Sequence, residues 1–217
     1  MNLLPRLHLV TDDAVLADAG FPDVAEAVLD SCGRRAALHV RGHRTTGARL
    51  YALGERLRAA ALRTGAWLLV NDRVDIALAL RANGVQLGSR SLQVDDARAL
   101  LGAGACIGCS VHGVADALQA DADGADFVML GTIYPSASHP RRMAAGAALV
   151  GETASRTNLP VIAIGGITAG RIVDVARAGA HGAAVLGGIW NVADPQQAAG
   201  DYVNAVRTAW PQDGGTA

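Results

Sequence analysis

The chain contains no lysine: all 19 of its cationic side chains are arginine. Schiff-base chemistry through a lysine amine is therefore excluded, and so is a lysine-bearing phosphate loop. Any anion must be held by arginine, histidine, hydroxyls or backbone N–H groups. Cysteine is scarce as well. Cys32, Cys106 and Cys109 form an odd, sparse set that suits reduced thiols and not a disulfide framework. Long apolar runs are missing too. The longest stretch free of Asp, Glu, Lys and Arg covers 17 residues, 99–115, with four glycines in it, which is too short to span a bilayer. The N-terminal MNLLPRLHLVTDD has no apolar segment followed by a small-residue cleavage site, so the expected location is the cytoplasm. With 20 anionic side chains against 19 cationic ones and no basic block, neither a nucleic-acid nor a membrane partner is expected.

Hydrophobic residues make up 51 % of the 217 and charged residues 18 %, a globular composition. Short apolar runs alternate with helical stretches to the end of the chain. The strand-like runs are RLHLVT (6–11), AALHVR (36–41), WLLVN (67–71), GVQLG (84–88), CIGCSV (106–111), FVMLG (127–131), VIAIG (161–165) and GAAVLG (182–187). Helical segments begin near Pro22, Gly47, Arg73, Val94, Val114, Gly146, Thr168 and Asp194. In one of them Leu50, Leu53, Leu57 and Ala61 recur three or four apart. Eight strands, each followed by a helix, predict one α/β domain over 1–217, a (β/α)8 TIM barrel, which commonly takes roughly 200–250 residues. The first strand ends in VTDD, without the glycine fingerprint of a dinucleotide-binding sheet.

In such a barrel the residues at the C-terminal ends of the strands carry the chemistry. Two glycine pairs, Gly165-Gly166 and Gly187-Gly188, close the seventh and eighth strands, where barrels bind phosphate through backbone N–H groups. Alternation along the second strand puts His39, Arg41 and His43 on one face. It does the same for Ser110 and His112 on the fifth, where an imidazole could move a proton. Asp72, after Asn71, could be a metal ligand, a helix cap or a partner for Arg73, and capping is the simplest of these readings. The long segment 133–146 would lie at the mouth, with Thr132, Ser136 and Ser138 lining it. Cys106 and Cys109 form a CxxC inside a strand, so they point to opposite faces and belong to packing. His8 and His181 read as structural.

The segments VTDD, LHVRGH, LLVNDRVDIALALRANGVQLG, IGCSVH, ADFVMLGTIYPSASHP, LPVIAIGGIT and AGAHGAAVLGGIW, in this order over nearly the whole chain, resemble the thiamin phosphate synthase / thiazole tautomerase (TenI) superfamily. The synthase branch joins a hydroxymethylpyrimidine pyrophosphate to a thiazole phosphate and needs Mg²⁺. Against its Gln-x-Arg-x-Lys second strand only Arg41 matches. Ser91 stands at its fourth-strand aspartate, Arg90 brings a cation beside that position, and Pro135-Ser136-Ala137-Ser138-His139 replaces its Pro-Thr-x-Thr-Lys loop. Of its two metal carboxylates only Asp72 remains. The resemblance thus implies the TenI-like branch, a thiazole tautomerase using no metal or other cofactor. His112 would then be its acid–base group and Arg41 its carboxylate clamp. His39, Asn71, Ser110, Thr132, Ser136 and Ser138 would line the thiazole phosphate substrate, and Gly165, Gly166, Gly187 and Gly188 would cradle its phosphate. The alternatives are a divergent thiamin phosphate synthase and a non-catalytic binder of thiazole or thiamin phosphates. A homo-oligomer is compatible with either branch.

Overall fold

The computed structural model describes residues 4–136 and 143–211. Eight parallel strands close into a barrel in chain order: β1 (Leu7–Val10), β2 (Ala36–Val40), β3 (Trp67–Asn71), β4 (Gly84–Leu87), β5 (Cys106–Val111), β6 (Phe127–Gly131), β7 (Val161–Ile164) and β8 (Gly182–Val185). β8 returns to β1 with Ala183 opposite Leu7 and Val185 opposite Leu9, so no strand edge is left open. The helices are α1 (Asp13–Ala17), α2 (Phe21–Cys32), α3 (Gly47–Thr64), α4 (Val74–Leu80), α5 (Val94–Leu101), α6 (Val114–Ala122), α7 (Ala147–Ala154), α8 (Ile172–Arg177), α9 (Gly187–Trp190) and α10 (Pro195–Ala209). The eight-strand barrel is as expected. Among the described residues no helix is long and apolar enough to cross a membrane.

The strands are apolar without alternation because both of their faces are covered. One set of side chains (Leu7, Leu9, Leu38, Val70, Val85, Ile107, Val128 and their neighbours) packs outward against the helices. The other set fills the barrel: Val10, Ala37, Leu69, Phe127, Met129, Ile162 and Ala184. Large and small residues face each other here. A Cβ on Gly108 would lie 2.2 Å from Cζ of Phe127, so the glycine provides the space that the phenyl ring occupies. Cys106 packs with this interior set and Cys109 with the outer one. Burial pushes the Cys106 thiol up to about 12 and the Cys109 thiol up to about 11, so neither is a reactive thiolate.

Helix α3 shows how the local signals act. Thr46 caps it by accepting from the Arg49 N–H, Leu50, Leu57 and Ala61 are buried, and Gly65 ends it in the left-handed region with φ 74°. Two helices lie outside the eight expected segments. Helix α1 follows β1 directly and is capped by Asp12, whose carboxylate accepts from the Val15 N–H at 2.9 Å. Helix α9 is one turn inserted after β8. Its Trp190 indole donates to the Val10 carbonyl at 2.9 Å and meets Phe21 edge-on at 5.3 Å.

Candidate active site

Strand alternation carries a column of polar groups from the barrel floor to its mouth. His8 on β1 and His39 on β2 are both wholly buried in the interior. Their rings are joined by a 2.8 Å hydrogen bond between His8 Nδ1 and His39 Nε2. His8 Nε2 lies 3.0 Å from the Pro5 carbonyl below, and His39 Nδ1 lies 3.2 Å from Asn71 Oδ1 above. Burial and the neighbouring His39 hold His8 well below its usual range. Burial likewise lowers His39 to about 4, assisted by the charge of Arg41. At neutral pH both rings are uncharged.

Arg41 stands one step above His39, half-buried at the mouth, with Nη2 2.7 Å from His43 Nε2. The Thr11 hydroxyl accepts from the Arg41 N–H at 2.8 Å and lies within hydrogen-bond reach of the His39 and Arg41 carbonyls. The loop beyond is organised by Asp13. Its carboxylate accepts from the N–H groups of His43, Arg44 and Thr45 and from the Thr45 hydroxyl, at 2.7–3.1 Å. Burial alone would raise its pKa, but these donors outweigh burial and hold it at about 2. Asp13→Ala should therefore release residues 43–45, lowering their amide-exchange protection at least about tenfold, the effect of losing one charge-assisted bond. Unchanged protection would show that the loop is held by something else.

Asp72 does not cap a helix, contrary to the expectation from sequence. It has φ 62°, a left-handed conformation that aspartate tolerates better than most residues. Its Oδ1 accepts from the Gly88 N–H at 3.1 Å and from the Ser91 hydroxyl. The Gly88 N–H also reaches Ser91 Oγ at 2.8 Å. Arg73 turns away to Asp75, with 2.8 Å from Nε to Oδ1. The second carboxylate oxygen, Oδ2, faces the His43 ring, 4.0 Å from Nδ1. Asp72, Ser91 and His43 thus form one cluster beside Arg41. No group of three His, Cys, Asp or Glu side chains with metal-ligand geometry occurs among the described residues.

Across the mouth, the Gln86 amide donates to Ser110 Oγ at 3.0 Å, which leaves the Ser110 O–H proton to be turned outward. His112 is exposed. Its backbone N–H donates to Asp116 at 2.9 Å, and Nδ1 donates to the Gly131 carbonyl at 2.7 Å, which fixes the ring's orientation. Thr132 is half-buried beside Gly165, and Ser136 is half-buried in the same loop. Ser138 lies outside the described residues. Gly165 and Gly166 have φ 101° and 62°. A Cβ on Gly166 would come within 2.4 Å of the Pro135 carbonyl, so only glycine fits there. Gly187 and Gly188 open α9, where N–H groups have no intrahelical acceptor.

Three contributors to the site carry no local signal in the sequence. Asp13 acts through a loop about thirty residues away along the chain. Arg171 donates to the Gly166 carbonyl at 2.7 Å while its guanidinium lies 4.5 Å from the Tyr134 ring, joining the loops after β6 and β7. His8 is structural in the sense that it reaches the mouth only through His39. A buried polar residue within an apolar strand is the one hint of it.

The model of the thiamine monophosphate synthase (TMP-TENI) family matches residues 7–189. The thiamine-phosphate synthase of Haloquadratum walsbyi is 36 % identical over 214 residues, covering 96 % of this chain and 94 % of that protein. That of Salinispora arenicola is 37 % identical over 210 residues, covering 95 % and 99 %. The solved structure of a thiamine phosphate pyrophosphorylase from Pyrococcus furiosus superposes with a TM-score of 0.82 at 26 % identity, over 94 % of this chain and 96 % of that one. These relatives overturn the thiazole tautomerase expectation, since proteins carrying the synthase name align over nearly its full length. The chain belongs to the thiamine monophosphate synthase family.

Proposed function

We propose that the protein is a thiamine-phosphate synthase, a transferase that joins a hydroxymethylpyrimidine pyrophosphate to a thiazole phosphate with release of pyrophosphate. The observation that carries this reading is the cluster of Arg41, His43 and Asp72 at one side of a mouth whose other side holds the two glycine loops. Two anionic groups can be held at once, one by side chains and one by backbone. Similarity at 36–37 % identity to proteins of that name supports it.

Bond breaking at the pyrimidine methylene leaves charge on the departing pyrophosphate. Arg41 is placed to meet that charge with paired N–H donors. The His43 ring bridges its guanidinium to Asp72. Gly165 and Gly166, with Gly187 and Gly188, present N–H groups to the thiazole phosphate. Ser110, Thr132 and Ser136 line the space between, and the exposed His112 stands at its rim as a hydrogen-bonding group, since alkylation of the thiazole nitrogen by the pyrimidine methylene releases no proton there. The family implies Mg²⁺, and the residues fit a singly anchored ion. Mg²⁺ commonly takes one or two carboxylates plus substrate phosphates and water, and Asp72 Oδ2 is a carboxylate oxygen left over from the Gly88 and Ser91 contacts. When bound, the ion neutralises pyrophosphate charge.

Purified protein given both substrates and Mg²⁺ should form thiamine phosphate, and Arg41→Gln should lower kcat/KM about 10²-fold through loss of a charge-assisted, bidentate contact. Absence of product with intact substrate binding would refute the synthase reading and leave a binding protein.

A further inference from the structure

The buried column below Asn71 has a direction. Each neutral imidazole has one N–H and one lone pair, so His8 and His39 can be linked in only two ways. If His8 Nδ1 is the donor to His39 Nε2, then His8 Nε2 is a bare lone pair. It would face the Pro5 carbonyl oxygen at 3.0 Å, two acceptors in contact with no water between them. If His8 Nε2–H donates to Pro5 instead, every link is satisfied. His39 Nε2–H then donates to His8 Nδ1, and His39 Nδ1 is an acceptor. A third arrangement, with a proton on every ring nitrogen along the column, requires a cation inside a fully buried pair.

The consequence falls on Asn71. Its amide nitrogen and oxygen exchange places by a half-turn of the side chain, and only their partners decide which faces where. The atom set 3.2 Å from His39 Nδ1 is Asn71 Oδ1, so a His39 Nδ1 that accepts requires the half-turned amide, with the Asn71 NH₂ on His39 and the carbonyl oxygen toward the mouth. We propose that the His8–His39 pair, anchored on the Pro5 carbonyl, sets the orientation of the Asn71 amide so that this site selects a substrate bearing a hydrogen-bond donor. Resting on the synthase reading, that donor is the exocyclic amino group of the pyrimidine ring. His8 and His39 are positioning residues, acting on substrate only through Asn71.

Side-chain ¹H–¹⁵N spectra of the whole protein, without substrate, report the tautomer of each ring. His8 and His39 should both carry the proton on Nε2. His8→Gln preserves the direction, because its NH₂ can donate to Pro5 while its oxygen accepts from His39, so His39 should stay Nε2–H. His8→Leu removes that acceptor, and His39 should then populate both tautomers. An Nδ1–H on His39 in the wild type overturns the proposal, as does a His39 tautomer that His8→Leu leaves unchanged. In kinetics, His8→Leu should raise KM for the pyrimidine pyrophosphate about tenfold with little change in kcat, and His8→Gln should restore it. A pyrimidine pyrophosphate with hydrogen in place of the amino group should be a poor substrate for the wild type. It should be discriminated against about tenfold less by His8→Leu, since a buried acceptor left unpaired is the basis of rejection. Equal discrimination in both proteins also overturns the proposal. If the tautomers are as stated but no thiamine phosphate forms, the synthase reading fails and the directed column stands.

Discussion

Asp72→Asn is expected to lower kcat/KM for thiamine phosphate formation by about 10²–10³, some 3–4 kcal/mol of transition-state stabilisation. The substitution is chosen for what it keeps. Asparagine tolerates the left-handed φ of 62° as aspartate does, and its oxygen can still accept from the Gly88 N–H and the Ser91 hydroxyl. Fold and loop geometry should therefore survive, and only the charge at Oδ2 is lost. Ser91 stands where the synthase branch has its second carboxylate, so no neighbouring acid can substitute for Asp72 within this cluster. The defect should shrink as Mg²⁺ is raised into the millimolar range, because an anchor has been weakened and the pyrophosphate still carries its own ligands. A variant with wild-type kcat/KM at low Mg²⁺ would remove Asp72 from the reaction.

The second large effect is on stability in acid. In the unfolded chain His8 and His39 titrate near 6.5 and bind protons below it, whereas folded His39 stays neutral down to about 4 because burial disfavours its charged form. Between these values the unfolded state holds more protons, so stability is complete above pH 6.5 and is lost as pH falls toward 4. For His39 alone the loss is on the order of 3 kcal/mol, and His8 shifts in the same direction. Asp13 belongs to a different window: held at about 2, its contribution fades only below the ordinary carboxylate range. Urea midpoints should fall steeply between about pH 7 and about pH 4.5 for the wild type and much less for His8→Leu/His39→Leu. Equal slopes in the two proteins would mean that the pair is charged or solvated in the native state.

The barrel is legible in the chain because its signals are local. Eight apolar runs at barrel spacing, each followed by a 3.6-residue periodicity, need only near neighbours in sequence to declare themselves. The glycine pairs are legible for the same reason, since a backbone that must take φ of 101° and 62° leaves a glycine wherever it occurs. The absence of lysine likewise commits anion binding to arginine, imidazoles and backbone N–H groups by composition alone. The cost of reading locally appears at Asp72, which resembles a helix cap beside Arg73 but is bonded across β4 to Gly88 and Ser91. It appears again at His8, which in sequence is one polar residue in an apolar strand and in the barrel is the base of a column ending at Asn71. Which inward side chains meet is set by the stagger between strands and by barrel closure, here Val10 opposite His39 and Asn71 opposite Gln86. Those pairings join residues tens of positions apart, and no periodicity within a single strand records them. Only the parallel pairing of β1, β2 and β3 in this register placed His8, His39 and Asn71 in line, because side chains on the same face of neighbouring strands lie close enough to touch.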